Sequence, residues 1–481
     1  MKKAPVALET SCTHVSDNKG PFVTTHSTAQ TVLFPDLLSK AVLAAFDQAH
    51  SSSDGGALLL KAVDEKLGLS EQLAECLRDG RQAGKVRHGL SELLQQRLFA
   101  IALGYPDAND ADELADDPIH KMLVGRSPVH GDRLASQSTV SRFENAPGTV
   151  EIYRLVETIA DTVIDRHRRR LGRRAKAVTL DFDPTVDPTH GQQAFSFYHG
   201  HYRTHCFLPL VGTIQFNRES KQRILCSVLR PGDARAALGL LPLLERLLPK
   251  VRSAFPRARI RIRLDGGFGT PEVLDFLDEL AGVEYVVGLA NWAPLTKRAK
   301  KAEAEAKRAH RRTGRTTQVF GETLYQTKTT WPHPRRVIYK AEMVDYPGRD
   351  PRPNLRFVVT NMKRTPKGVY TGYCQRGDAE NRIKELKEGL AMDRTSCSSF
   401  LANQFRVQLT VAAYVLLQEL GQQARHTKYR DAQVTRLREK LLKLPAWVEE
   451  SVRRVVVHLP AAWVGESDWQ RVAMAVGAAP G

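Results

Sequence analysis

From residue 176 to 290 the chain reads as three strands followed by alternating helix and strand, an order that leaves few folds open. KAVTLDFD alternates: Val178, Leu180 and Phe182 point one way, Asp181 and Asp183 the other. HCFLPLVGTIQF and RILCSVLR follow as two more strands. ARAALGLLPLLERLLPKVRSAF, residues 234–255, has the apolar spacing of an amphipathic helix. RARIRIRLD, 257–265, is a strand with Ile260, Ile262 and Leu264 on one face and Asp265 on the other. Thr270-Pro271-Glu272 starts a helix, with a Thr cap, Pro in the first turn and an acid at the positive dipole end. VEYVVGLA, 283–290, is a further strand. The expectation is an α/β fold: a mixed sheet with helices packed on it, its first and fourth strands able to be neighbours.

The flanks divide the rest. Residues 1–30 read as a polar, flexible arm, and 31–170 as a helical domain. Within it SKAVLAAFDQ, DGGALLLKAVDEKLG, LSEQLAECLRD and HGLSELLQQRLFAIALG carry apolar residues at helical spacing. The core is expected in two parts, 176–295 and 366–425. Between them, 296–365 reads as a basic helix followed by strands, a β insertion domain. Residues 426–481 form a C-terminal region, and there is no internal repeat.

Lys plus Arg number 71 against 53 Asp plus Glu, a formal charge of +18 in 481 residues, which favours a polyanionic partner. Seven of the eleven residues from Arg166 to Lys176 and nine of the 19 from Lys297 to Arg315 are basic, suited to salt-dependent phosphate contacts or to plain solubility. The six cysteines (12, 76, 206, 226, 374, 397) form no CxxC pair, which excludes a disulfide scaffold and fits a reducing cytoplasm. No run of 18 apolar residues marks a membrane span, and the first 30 residues lack the apolar stretch of a secretory signal.

Three carboxylates stand out: Asp183 (or Asp181) ending the first strand, Asp265 ending the fourth, and Glu380 on a helix 115 residues after Asp265. Convergent hard oxygen ligands suit Mg²⁺ or Mn²⁺, and two such ions stabilise the attacking and leaving oxygens of phosphoryl transfer. Taken singly, each is equally an ordinary strand-end or surface acid.

TGYCQRGDAENRIKELKEG spaces Tyr373, Arg376, Glu380 and Lys387 as Y-x2-R-x3-E-x6-K. That pattern resembles the signature of bacterial insertion-sequence DDE transposases. LDFDPTVDPTHGQQ is similar to the segment of the first aspartate, here Asp183-Pro184-Thr185, and RLDGGFGTPEVLDFL to that of the second, here Asp265, Gly267 and Phe268. DPTHGQQ, YHGHYR, QRGDAENRIKE and SFLANQFR resemble the insertion-sequence family numbered thirteen-eighty. The resemblance implies an RNase H-like catalytic core in which Asp183, Asp265 and Glu380 bind two divalent ions, cut DNA at the element's terminal inverted repeats and join the 3′-hydroxyls to target DNA, with cut-and-paste excision. It implies a homodimer in the synaptic complex and a cytoplasmic, nucleoid-associated enzyme. A metal-dependent nuclease and a catalytically silent DNA-binding protein are the alternatives. Asp181 remains the alternative first acid, since periodicity does not separate it from Asp183.

Other residues gain roles by the same route. On one helix face, Arg376, Lys384 and Lys387 would grip phosphates beside the cut, with Tyr373 stacking or hydrogen bonding there. In a β insertion like that of hairpin-forming transposases, Trp331, with Trp292 in reserve, would stack on a flipped base; a buried Trp is the plainer reading. In LASQSTVSRFENA, Ser138 and Arg142 would open a recognition helix for the terminal repeats, or an ordinary capped surface helix. His190, His199, His201, His205 and Cys206 cluster within 17 residues. Their spacing matches no standard zinc site, so rim packing or phosphate contact is expected instead.

Overall fold

The computed structural model describes residues 32–34 and 37–479, apart from 328, 347 and 349. The arm expected at 1–30 lies outside these. The chain divides into two compact units, Met1–Ala49 and His50–Gly481. In the first, Val32–Phe34 pairs antiparallel with Val42–Ala44. SKAVLAAFDQ was expected as a helix and is instead a short strand. Leu43 and Phe46 are exposed, so among the described residues no packing surface supports an amphipathic helix there, and propensity alone does not sustain so short a one.

The second unit is built on an eight-stranded mixed sheet. Its strands are β1 (Ala177–Pro184), β2 (Leu210–Phe216), β3 (Arg223–Val228), β4 (Arg259–Leu264), β5 (Val283–Leu289), β6 (Thr317–Tyr325), β7 (Arg335–Val344) and β8 (Arg352–Thr360). The order across the sheet is β6-β7-β8-β5-β4-β1-β2-β3. β1, β4 and β5 run parallel, and every other pairing is antiparallel. The first and fourth strands of the core are therefore direct neighbours. Val178, Leu180 and Phe182 of β1 meet Ile260, Ile262 and Leu264 of β4 in a face fully removed from water.

Strands β6 to β8 were expected as a domain of their own. They continue the core sheet instead: β8 hydrogen-bonds to β5 from Val286↔Thr360 to Leu289↔Phe357. Edge strands with β-branched residues extend an open sheet edge more readily than they form a free-standing ribbon. The basic helix Ala293–Thr313 lies over β6 and β7 through Leu295, Ala299, Ala302 and Ala306, its charges outward.

The helices before the sheet share its core. Leu90–Leu103 and Thr149–Leu171 pack against Phe400–Gln423, and the last two also against β3. Side chains of all three belong to one continuous apolar cluster with the sheet. Residues 50–170 are thus integrated with the sheet. Phe400–Gln423 is apolar almost all round, as an enclosed helix must be. Together with the turn to His426, it is long and apolar enough to cross a membrane, yet it is buried in this fold.

Candidate active site

Asp181 and Asp183 share one face of β1 but not one environment. Asp181 is 0% exposed. Its cross-strand partner Arg263 donates to it twice, Nε to Oδ1 and Nη2 to Oδ2, both at 2.7 Å. The same guanidinium donates to Gln215 Oε1 (2.9 Å) and to the Gly372 carbonyl (2.9 Å). Asp181 is thus the anchor of a saturated buried ion pair that locks β1, β2, β4 and the helix Pro366–Cys374 together. With both oxygens bonded to Arg263 and no exposure to solvent, it is less suited to a metal ion than Asp183.

Asp183 lies one pleat further, at the carboxyl end of β1, and is 8% exposed. The parallel register Asp181↔Arg263, Phe182↔Leu264 brings Asp265 alongside it at the end of β4. Asp265 caps a short turn, accepting from the Gly267 N–H at 2.9 Å. Burial pushes the Asp183 carboxyl up to about 7; Asp265 and Glu380 add to the rise while Arg376 opposes it. That coupling ties the three acids to one region.

Glu380 projects from the helix Gly377–Lys384, with its side chain 62% exposed. Arg376, at the break between that helix and Pro366–Cys374, donates through Nη1 to Asp183 and through Nη2 to Glu380 Oε1 (2.9 Å). Its guanidinium thus sits between two of the three acids. Burial works to lower its pKa, but Asp183, Tyr373, Asp265 and Glu380 hold it above the ordinary value.

Tyr373 is half-buried, and its hydroxyl closes over the β5 strand. A Cβ on Gly288 would lie 2.7 Å from that oxygen, so Gly is needed for the approach. Lys387 donates to the Val186 carbonyl (2.9 Å) and pairs with Asp393 (3.4 Å). Lys384 is exposed, 3.6 Å from Glu388. Arg376 caps the helix Gly377–Lys384 with helical backbone angles, and Lys387 lies in the π-helical turn Glu385–Gly389 that continues it.

Trp331 is 3% exposed. Trp292 and Tyr325 meet it edge-on at 5.9 and 5.8 Å, and Arg335 lies 5.0 Å from its ring centre. No ring face is left for a base, so the stacking role expected for Trp331 is withdrawn; the residue closes an aromatic cluster at the β6–β7 turn. Trp331→Ala is expected to cost about 3–5 kcal/mol of stability. Equal denaturant midpoints for variant and parent would contradict this placement.

Ser138 and Arg142 are exposed on the helix Gln137–Glu144, one turn apart, while Val140 and Phe143 are buried behind them. His199, His201, His205 and Cys206 of the cluster lie on a hairpin, Phe197–His199 and Thr204–Phe207, inserted between β1 and β2, with His190 in the loop before it. Sequence reasoning missed what else this hairpin carries. Phe195, Phe197, Tyr198 and Tyr202 are all exposed. Tyr202 stacks near His199 and His201, both at 4.9 Å. Burial raises the Tyr202 pKa, and Asp183 and Asp265 raise it further, which sets the ring at the rim of the acid site. The alternation of aromatic and basic residues in YHGHYR was the available signal.

Among the described residues no three His, Cys, Asp or Glu side chains come close enough together to enclose one metal ion, in this hairpin or around Asp183. The donor chemistry at Asp183, Asp265 and Glu380 nevertheless fits a hard divalent cation. All three are carboxylates, one is buried at the expense of its ionised form, and a guanidinium bridges two of them where a cation would balance their charge.

A large mixed sheet carries Asp183 and Asp265 at the ends of adjacent central strands, where open α/β sheets place their ligand sites. The model of the family described as Transposase DDE domain group 1 matches residues 34–478, and the chain belongs to that family. It is a DDE transposase domain, with DNA as its partner; enzymes of this kind use divalent metal ions. No curated protein matches the chain.

Proposed function

We propose that the chain is the transposase of a bacterial insertion sequence, with an RNase H-like core. In this reading it binds terminal inverted repeats, cuts at the element ends and joins the freed 3′-hydroxyls to target DNA by cut-and-paste. The observation that carries the reading is the register of β1 and β4, which sets Asp183 and Asp265 level, with Arg376 linking Asp183 to Glu380. The strand order β3-β2-β1-β4-β5 agrees with an RNase H-like core.

Asp183, Asp265 and Glu380 would hold Mg²⁺ or Mn²⁺. Two such ions, when bound, supply Lewis-acid stabilisation of the attacking and departing oxygens. The protein's own part is positioning. Asp181 and Arg263 fix the strand ends on which Asp183 stands. Arg376, released from the acids, and Lys384 and Lys387 offer charge to phosphates next to the scissile bond. Tyr373 borders the same region over Gly288. In cleavage a water oxygen forms a bond to phosphorus and the 3′-oxygen leaves as a hydroxyl; in joining that 3′-hydroxyl forms a bond to a target phosphorus, and the target strand's own 3′-oxygen leaves.

Tyr202 and Arg203 on the hairpin flank the path of the strand entering the site, and Ser138 and Arg142 are exposed for repeat recognition. Two ends need two active sites, which fits a homodimer in the synaptic complex. Work at the nucleoid, in the cytoplasm, agrees with five unbonded cysteines among the described residues.

The test combines purified protein, duplexes carrying the element's ends, a target plasmid, and Mg²⁺ or Mn²⁺. Metal-dependent cutting and joining is expected, and Glu380→Gln should reduce both on the order of 10³-fold or more. Cutting without joining indicates a nuclease, and end binding with neither step overturns catalysis.

A further inference from the structure

We infer that a cleft on the far side of the Glu380 helix binds a multiply charged phosphate anion. The cleft, about 380 Å³, lies where the C-terminal part of the helix Thr149–Leu171, the start of β3 and the end of the helix Phe400–Gln423 meet. Six of its lining side chains are Lys or Arg and three are Glu or Asp.

The three acids are already engaged. Glu219 takes Arg170 Nη2 on both oxygens (2.8 and 3.0 Å). Glu385 takes Arg382 Nη1 (2.6 Å) and the Tyr414 hydroxyl. Asp431 pairs with Arg430 (3.3 Å) and stands 4.0 Å from Lys221. Among the described residues, this leaves Arg223 and Arg425 without a carboxylate. Arg223 donates only to neutral groups, the Gln418 carbonyl (3.2 Å) and Gln422 Oε1 (2.6 Å), and its buried Nε has no partner. Arg425 reaches His426 at 3.0 Å.

Glu219 and Glu419 act on Arg223 from a distance, but a largely buried guanidinium hydrogen-bonded only by neutral groups is costly, and a planar guanidinium matches the oxygens of a phosphate. The surroundings register the unbalanced charge. Burial lowers the pKa of Lys221, with Arg382 and Arg223 acting in the same direction against Asp431. Burial, then Arg223, Arg170 and Arg166, carry neighbouring His167 down to about 2.

The cleft adjoins the helix of Glu380 but faces away from its acid. Asp378 and Arg382 stand two residues to either side of Glu380, about 200° round the helix. Asp378 accepts from the Gln222 N–H (2.7 Å), between Lys221 and Arg223, and also pairs with Arg382 (3.3 Å). The cleft is therefore a site separate from Asp183, Asp265 and Glu380, and it stands whether or not those acids cut DNA. Its ligand is either a diffusible polyphosphate or consecutive backbone phosphates of a nucleic acid.

The test is calorimetric titration of the full chain, without divalent metal and at fixed ionic strength, with inorganic tripolyphosphate. One site is expected. Lys221→Gln/Arg425→Gln, both partly or fully accessible positions, should weaken it about tenfold or more, and Arg223→Gln similarly. Lys307→Gln/Arg311→Gln, on the basic helix over β6 and β7, should leave it intact. Equal binding by all variants, or no saturable binding by the parent, overturns the site. Duplex binding against salt then names the source. A nucleic-acid backbone predicts a slope lower by about 1–2 in the cleft variants and displacement by tripolyphosphate. A diffusible anion predicts unchanged duplex binding.

Discussion

Asp183→Asn is expected to abolish strand cleavage while making the metal-free protein more stable. Asp183 is buried at the end of β1 with its pKa pushed to about 7, first by burial and then by Asp265 and Glu380 against the pull of Arg376. Its ionised form is therefore disfavoured by the fold. Below the ordinary carboxyl value of 3.8 the acid is protonated in both folded and unfolded chains, and the amide has no advantage. Between 3.8 and about 7 the unfolded chain has released its proton and the folded chain still holds it, so the parent loses stability as pH rises. Above about 7 the difference is complete. The variant should melt about 2–5 °C above the parent at pH 8 and together with it near pH 3.5. Saturating Mg²⁺ should reverse the order, because only the parent gains from binding. Cleavage should fall on the order of 10³-fold or more. Identical melting curves from pH 4 to 8 would show that Asp183 is not held against its ionised form.

The contrast between Asp183 and Asp181 shows how far local pattern reaches. Alternation along KAVTLDFD put both acids on one face, and it could do no more, because the distinguishing fact is the cross-strand partner. Arg263 opposite Asp181 is set by a register between segments 82 residues apart. Asp265 was easier to read, since it ends an alternating strand and precedes glycines that let the chain turn. Trp331 illustrates the reverse problem. Its neighbours Trp292, Tyr325 and Arg335 come from three separate elements, and nothing in the string around it reports that they bury it. The strands 317–360 were legible one by one, but pairing of β8 with β5 is a non-local choice, so their union with the core sheet was not. In SKAVLAAFDQ the helical spacing was real, but Leu43 and Phe46 stay exposed among the described residues, so nothing there rewards it.

Arg376→Met should tighten divalent-cation binding and slow strand cleavage at once. The Arg376 guanidinium bonds to Asp183 and Glu380 together, so it would compete with a cation for two of the three proposed carboxylate ligands. Methionine keeps much of the unbranched stem and removes the charge. Mn²⁺ affinity, followed by calorimetry or by the loss of free-ion paramagnetic resonance, should rise about tenfold. Without a cation, the acids are left with less compensation, so the variant should melt below the parent at pH 8 and recover when Mn²⁺ is added. Cleavage should nevertheless fall about 10–100-fold if, as proposed, the freed guanidinium holds the phosphate beside the cut. Arg376→Lys, which restores charge without the two-pronged fork, should fall between parent and Met variant in Mn²⁺ affinity. If Mn²⁺ binds the Met variant more weakly than the parent, Arg376 serves to gather the acids for the metal rather than to compete with it, and the bridge between Asp183 and Glu380 is part of the binding-competent site.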